Sequence, residues 1–256
     1  MRLKLVLQHS RNQVLPINYQ YLISSWVYRT LGNANEEYAT QLHEQGYDFL
    51  GRKYKLFTFS TLQPGWFDID RKAKTFILVR HPTEITLSFY VNDALQNFVI
   101  GLFKDQRFSL SSGQFGVDFE VSGIETLPRP DFQPTMRFRL KTPLCIGENE
   151  AGEAHAQYRS PEYAGYAELL LKNLLRKQKA LDVHHTGESI RIDFPYDFKL
   201  LSSPKSKLYR IKGANVRGYL FDFELTAPVE LMEIGYFGGF GEKNSSLGMG
   251  MVRKLK

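Results

Sequence analysis

The sequence predicts an α+β protein built from two tandem ferredoxin-like (RRM-like) domains. Three observations predict it. The first half runs β-α-β-β-α-β by hydrophobic periodicity, a proline-rich break falls near the middle, and the same order returns beyond it. A chain of 256 residues has room for two modest domains, each with its own core. The expected division is residues 1–126, a linker at 127–134, and residues 135–256.

Leu3, Leu5 and Leu7 alternate with Lys4, Val6 and Gln8, so Arg2–Gln8 reads as a half-buried strand. A helix follows from an Asn18 N-cap to about Leu31, with Leu22, Ile23, Trp26, Val27 and Leu31 on its apolar face and Gly32 closing it. A shorter helix opens at Asn35, carries Glu36 and Glu37 in its first turn, and stops at Gly46. Strands are expected at Lys55–Leu62, Thr75–Arg80 and Glu84–Tyr90. A helix at Asn92–Phe103 and a strand at Gly116–Ile124 complete the first unit. Pro128, Pro130 and Pro134 then remove backbone donors and disfavour helix before them, the mark of a linker. Beyond it come a strand at Met136–Pro143 and a helix at Pro161–Ala180. Strands at Ser189–Phe194, Lys207–Lys212 and Gly218–Leu225 follow. A short helix at Pro228–Ile234 and a last strand at Gly248–Lys254 end the pattern.

Six glycines lie within residues 235–250, as Gly235, Gly238, Gly239, Gly241, Gly248 and Gly250. Lys243, Asn244, Ser245 and Ser246 stand between the pairs Gly239-Phe240-Gly241 and Gly248-Met249-Gly250. Glycine admits a positive φ and lets backbone approach a ligand closely, and consecutive N–H groups in such a turn make a nest for phosphate. The plain alternative is a tight helix-to-strand loop. Neither G-x-x-x-x-G-K-[ST] nor G-x-G-x-x-G occurs here.

Net charge of +6 and pI near 9.2 suit an acidic partner, nucleic acid ahead of membrane. One cysteine, Cys145, excludes an internal disulfide framework and makes a reducing cytoplasm the default. Hydrophobic content of 43% and mean hydropathy of −0.32 describe an ordinary soluble chain, and no run approaches the ~18 apolar residues of a membrane span. The apolar start at Met1 breaks at Gln8, too early for a signal-peptide core.

Three side chains could cut RNA without a metal ion. Tyr28 lies on the first helix with its hydroxyl expected to face outward. His43 is in the last turn of the second helix, whose negative end favours an imidazolium. Lys55, just ahead of a strand, could face a phosphate, with Lys53 as its competitor. In such cleavage the ribose 2′-hydroxyl attacks the adjacent phosphate. One group takes or orients its proton, one protonates the leaving 5′-oxygen, and a cation offsets the developing charge. A helix-ending His also serves as a simple cap, so spacing alone leaves both readings open. His9 and His81 abut strand ends and could be structural, and His184 and His185 read as surface residues with no metal-ligand spacing. His155 precedes a helix and could approach a ligand. Lys172, Arg176, Lys177 and Lys179 read as complementing a helix dipole. Lys205, Lys207, Arg210, Lys212 and Arg217, interleaved with Tyr209 and Tyr219, are better RNA candidates.

Leu15-Pro-Ile-Asn-Tyr-Gln-Tyr-Leu-Ile-Ser-Ser-Trp-Val-Tyr28, Leu42-His-Glu44 and Lys55-Leu-Phe-Thr-Phe-Ser60 resemble the opening of the CRISPR-associated repeat-cleaving endoribonucleases, of the repeat-associated mysterious protein superfamily. Gly239-Phe-Gly-Glu-Lys-Asn-Ser-Ser-Leu-Gly-Met-Gly250 is similar to that family's glycine loop, with one more Ser than its usual spacing. The resemblance implies metal-independent cutting of CRISPR precursor RNA within repeats, leaving 2′,3′-cyclic phosphate and 5′-hydroxyl ends. By position it makes His43 the general acid/base, Tyr28 its partner at the attacking hydroxyl, and Lys55 the stabilising cation. RNA contacts are expected on Gly239, Gly241, Lys243, Asn244, Ser245, Ser246, Gly248 and Gly250 of the loop and, from the basic hairpin alone, on Lys207, Arg210 and Lys212. Implied partners are CRISPR repeat RNA and other subunits of a CRISPR effector complex, with no membrane, metal or small-molecule cofactor. The alternative is an RNA-binding subunit of a CRISPR ribonucleoprotein that does not cut. A generic RRM-like RNA binder lacks the Lys/Arg-Gly-Phe-Gly-Phe ribonucleoprotein pattern.

Overall fold

The computed structural model describes residues 1–148, 157–182, 190–211, 214–242 and 245–255. The first half contains β1 (Arg2–His9), β2 (Gln13–Pro16), α1 (Gln20–Ala34), α2 (Glu36–Glu44), β3 (Tyr47–Phe49) and β4 (Arg52–Tyr54). It continues with β5 (Phe57–Phe59), β6 (Gln63–Asp70), β7 (Thr75–Phe89), α3 (Asn92–Lys104), β8 (Arg107–Ser112) and β9 (Phe115–Leu127). The second half holds β10 (Thr135–Leu140), β11 (Gly147–Glu148), β12 (Gln157–Tyr158), α4 (Tyr166–Lys179) and β13 (Asp197–Leu200). After these come β14 (Lys205–Ile211), β15 (Ala214–Leu220), β16 (Asp222–Thr226), α5 (Val229–Gly238) and β17 (Val252–Lys254).

In the first sheet β5, β7, β1 and β9 lie side by side, all antiparallel. In the second the order is β13, β16, β10, β17, again antiparallel. Numbered within each β-α-β-β-α-β unit, both sheets read 2-3-1-4, the ferredoxin-like order. The chain is α+β with two such units in tandem. Alternation explains the central strand. Leu3, Leu5 and Leu7 are buried against Trp26, Val27 and Leu31 of α1 and Phe98 and Leu102 of α3.

Several elements differ from the periodicity. Tyr19, not Asn18, is the N-cap of α1, and the helix runs through Gly32 to Ala34. The strand expected at Lys55–Leu62 is broken by Leu56, whose φ of 53° leaves only Phe57–Phe59 paired with β7. Thr75–Arg80 and Glu84–Tyr90 are one strand, flanked by β2 and β6 at its far end. The helix expected from Pro161 begins at Tyr166, and residues 190–194 are not a strand; β13 lies three residues on. Gly218–Leu225 divides at Phe221, and the last strand shortens to Val252–Lys254 because the preceding residues belong to the glycine loop.

The two units are joined by a buried arginine. Arg2 on β1 donates to Ser88 Oγ at 3.2 Å, to the Val252 carbonyl at 2.6 Å and to the Tyr236 carbonyl, while its Cζ lies 3.4 Å from the Tyr236 ring centroid. Burial lowers the guanidinium to about 10, so it stays charged at neutral pH. Ser88 Oγ in turn donates to the Phe237 carbonyl at 2.9 Å. The C-terminal end of α5 and the start of β17 are thereby fixed to the first sheet.

Candidate active site

The site is assembled from the end of α2, the face of α1 and the crown of the glycine loop. Asn35 begins α2 as expected, accepting from the Tyr38 amide at 2.9 Å. Gly46 ends it with φ of 62° and an amide bonded to the Gln41 carbonyl. A Cβ at Gly46 would lie 2.5 Å from the Tyr54 carbonyl and 3.0 Å from Lys55 Nζ. The glycine thus opens the helix end to a lysine. Lys55 Nζ donates to the carbonyls of Leu42 and His43, both at 2.6 Å, and Lys53 Nζ donates to the Glu44 carbonyl at 3.0 Å. Both cations complement the negative end of α2. Lys55 is the one held at the foot of His43. Its ammonium is pushed down to about 8, chiefly by burial and then by the charge of Lys53.

His43 is exposed, with its ring edge-to-face on Tyr28 at a centroid distance of 4.7 Å. Tyr28 is half-buried and also packs edge-to-face on Phe57. Burial pushes its phenol well above the ordinary value, and the nearby Ser246 hydroxyl, on the 3-10 turn packed against α1, pulls partly the other way. Tyr28 is therefore a neutral hydroxyl at physiological pH, suited to donating or orienting rather than to removing a proton. Tyr28, His43, Lys55 and Ser246 come together although they span more than 200 positions of the chain.

The glycine loop is packed more tightly than a phosphate nest. Gly239, Gly241, Gly248 and Gly250 all have positive φ and are buried. A Cβ at Gly241 would lie 2.7 Å from the Cys145 carbonyl, one at Gly248 2.5 Å from the Phe59 ring, and one at Gly250 1.7 Å from the Phe240 carbonyl. Thr58 Oγ1 donates to the Met249 carbonyl at 2.9 Å. The amides of Phe240, Glu242 and Gly250 are spent on the carbonyls of Gly250, Cys145 and Pro143. The glycine count thus serves close packing of the loop on β5 and on the segment after β10. The half-exposed crown is the 3-10 turn Ser245–Leu247. Lys243 and Asn244 lie outside the described residues, as do Lys212, His155, His184 and His185.

Lys207 and Arg210 are exposed on the β14–β15 hairpin. Their aromatic neighbours do not form a stacking surface. Tyr209 is half-buried against Cys145, Val216 and Met249, and Tyr219 packs on the second core. His9 is structural, with Nδ1 at 2.8 Å from the Ser10 carbonyl and Nε2 at 3.0 Å from Thr83 Oγ1. Among the described residues no three His, Cys, Asp or Glu side chains are grouped so as to hold a metal ion. No helix among them is long and apolar enough to cross a membrane.

Two features were hidden from the periodicity. Arg52 on β4 forms an ion pair with Glu242 of the loop. Lys177, expected to complement the helix dipole, is 1% exposed and bonded to the Gly239 and Gly241 carbonyls. The signal was present in α4. Lys177 follows Leu170 by seven residues and Leu174 by three, which puts it on the buried stripe.

A family model for the C-terminal part of CRISPR-associated protein Cas6 matches residues 127–254, and one for the Cas6 N-terminal part matches residues 14–122. The chain belongs to the Cas6 family. A relative from Methanocaldococcus jannaschii named CRISPR-associated endoribonuclease Cas6 1 is 31% identical over 265 aligned positions, covering 98% of this chain and 92% of that one. The CRISPR-associated endoribonuclease Cas6 of Pyrococcus furiosus is 25% identical, covering 93% of this chain and 83% of that one. A solved structure of a CRISPR-associated protein Cas6 is 30% identical with a TM-score of 0.75, covering 100% of this chain and 99% of that one. The product of a Cas6-related gene from Pyrococcus furiosus superposes with a TM-score of 0.80 at 23% identity, covering 100% of this chain and 98% of that one, and shares the fold.

Proposed function

We propose that this Cas6 chain is an endoribonuclease that cuts CRISPR precursor RNA within its repeats, using the RNA's own 2′-hydroxyl and no metal ion. The observation that carries the proposal is the Tyr28–His43 ring contact, with the 3-10 turn of the loop packed on the same helix α1. The name of the Methanocaldococcus jannaschii relative supports the reaction class.

In this reading O2′ forms a bond to phosphorus as the P–O5′ bond breaks. The 2′-hydroxyl proton leaves and a proton reaches O5′, so a 2′,3′-cyclic phosphate and a 5′-hydroxyl result and no water is consumed. His43 moves the proton, an imidazole being the side chain suited to both directions near pH 7. Tyr28 orients the attacking hydroxyl as a neutral donor. Lys55, cationic below about pH 8, offsets charge on the pentacoordinate phosphorus. Exposed Lys207 and Arg210, with Ser245 and Ser246 of the crown, contact the RNA backbone.

The test is cleavage of a repeat RNA transcribed from the array beside the gene, with EDTA present. Cutting is expected on the all-ribose substrate. A 2′-deoxy nucleotide upstream of the scissile bond should abolish it while binding persists. Cleavage of the deoxy substrate would remove the mechanism. Binding without cleavage of the ribose substrate would favour the second reading, an RNA-holding subunit, which the engagement of Lys55 by two helix carbonyls supports.

A further inference from the structure

Lys177 lies in the last turn of α4, in the second ferredoxin-like unit, with its side chain enclosed beneath the glycine loop. Its Nζ donates to the Gly239 carbonyl at 2.5 Å and to the Gly241 carbonyl at 2.8 Å. Each acceptor belongs to a peptide whose N–H is also engaged. The Phe240 amide donates to the Gly250 carbonyl and the Glu242 amide to the Cys145 carbonyl, both at 2.9 Å. Two peptide planes are thus held at both edges. Gly239 and Gly241 have φ of 85° and 97°, so without such ties this stem would have wide conformational freedom. The stem lies against the 3-10 turn, a Cβ at Gly239 falling 3.1 Å from the Ser245 Cβ; that turn, which contains Ser246, packs on α1, and Tyr28 of α1 packs on His43.

We infer that Lys177 is a positioning residue for cleavage: by fixing the Gly239–Gly241 stem it sets Ser246 against Tyr28, and through Tyr28 the placement of His43. This rests on the reading of Tyr28 and His43 as the cutting residues. A lysine suits the task because its flexible stem crosses an apolar layer and its head serves two converging carbonyls at once. Leu170, Leu171 and Leu174 supply that layer. Burial lowers the Lys177 ammonium to about 7. Amine and ammonium each retain two N–H donors, so the tie holds in both states.

The experiment is a double-mutant cycle between Lys177→Met and Tyr28→Phe, read by single-turnover cleavage of the repeat RNA and by RNA affinity. Lys177→Met is expected to slow cleavage roughly 10- to 100-fold, the scale of a misplaced catalytic group, with Kd changed less than about twofold. In the Tyr28→Phe background the same substitution should cost less than about threefold. Equal losses in the two backgrounds, or a loss confined to Kd, would overturn the inference. Lys177→Leu, which likewise lacks N–H donors, replaces the Met variant if that one does not fold, and Lys177→Gln, which keeps two N–H donors, should recover part of the lost rate. A second readout needs no activity. In protein labelled with 3-fluorotyrosine, the 19F resonance that disappears in Tyr28→Phe should shift in Lys177→Met. If it is unmoved, the inference fails whether or not the chain cuts RNA. A wild-type chain that leaves repeat RNA intact while the resonance shifts would refute the proposed function and not the coupling.

Discussion

The rings of Tyr28 and His43 meet edge to face, with centroids 4.7 Å apart and planes at 89°. An imidazole in the last turn of a short helix would otherwise sweep through solvent. Here a half-buried phenol on a neighbouring helix braces it, and the turn of the distant loop that carries Ser246 packs on that helix.

If His43 moves the proton, His43→Ala should slow single-turnover cleavage by ~10²-fold or more, the usual range for losing a general acid/base. RNA affinity should change little. A rate equal to the wild type's would place the proton transfer elsewhere.

Tyr28 stays neutral well above physiological pH because burial disfavours its phenolate. Tyr28→Phe should therefore lower the rate by a similar factor at each pH between 6 and 9. A loss that grows steeply toward pH 9 would show that the phenolate acts as a base.

For Lys55 the useful form is the cation, present below about pH 8 and lost above it. Cleavage should fall on the alkaline side as this proton leaves, provided phosphate does not hold it on. Lys55→Arg, always charged, should move that fall upward. An alkaline limb identical in both proteins would exclude Lys55 as its source.

Lys177 gives a stability prediction of definite sign. Its folded-state value of about 7 lies below the ordinary 10.5, so between these values the unfolded chain binds more protons. Its unfavourable contribution is complete below about pH 7 and is relieved as pH rises toward 10.5. The urea stability of the wild type should thus gain on that of Lys177→Met between pH 6.5 and 9. A constant difference would mean that the two glycine carbonyls hold the lysine charged throughout.

Gly250 and Gly51 separate packing from backbone conformation. Both have positive φ, at 71° and 75°. A Cβ at Gly51 meets nothing within 4 Å, whereas one at Gly250 falls 1.7 Å from the Phe240 carbonyl. Gly51→Ala should cost about 1–2 kcal/mol of stability, the cost of the left-handed conformation alone. Gly250→Ala should cost clearly more in the same denaturation assay and should reduce cleavage. Equal costs would mean that the loop gives way freely.

Much of the architecture was legible because each central strand alternates cleanly and each helix carries an apolar stripe. Leu3, Leu5 and Leu7, or Leu170, Leu171 and Leu174, announce their faces. The β3–β4 hairpin was not legible. Its strands are three residues each, joined through Leu50 and Gly51 at positive φ, too short for a period to register. The residues brought together at the site were visible as residue types, but what holds them was not. Gly46 reads as a helix stop and also makes space for Lys55. The glycine run reads as a ligand cradle and is largely filled by Phe59, Phe240 and Cys145 of the protein itself. Charge at position 177 masked its place on an inward stripe.

Arg2 grips Tyr236 and Val252, and Ser246 lies between those two in the chain. Translation delivers the tyrosine and the histidine about two hundred residues before their serine neighbour. Until residues 236 and 252 have been made, Arg2 lacks the two carbonyls it holds in the folded chain. A fragment ending before residue 246 would keep Tyr28 and His43 and lack both the turn that packs on Tyr28's helix and the Val252 carbonyl that Arg2 holds.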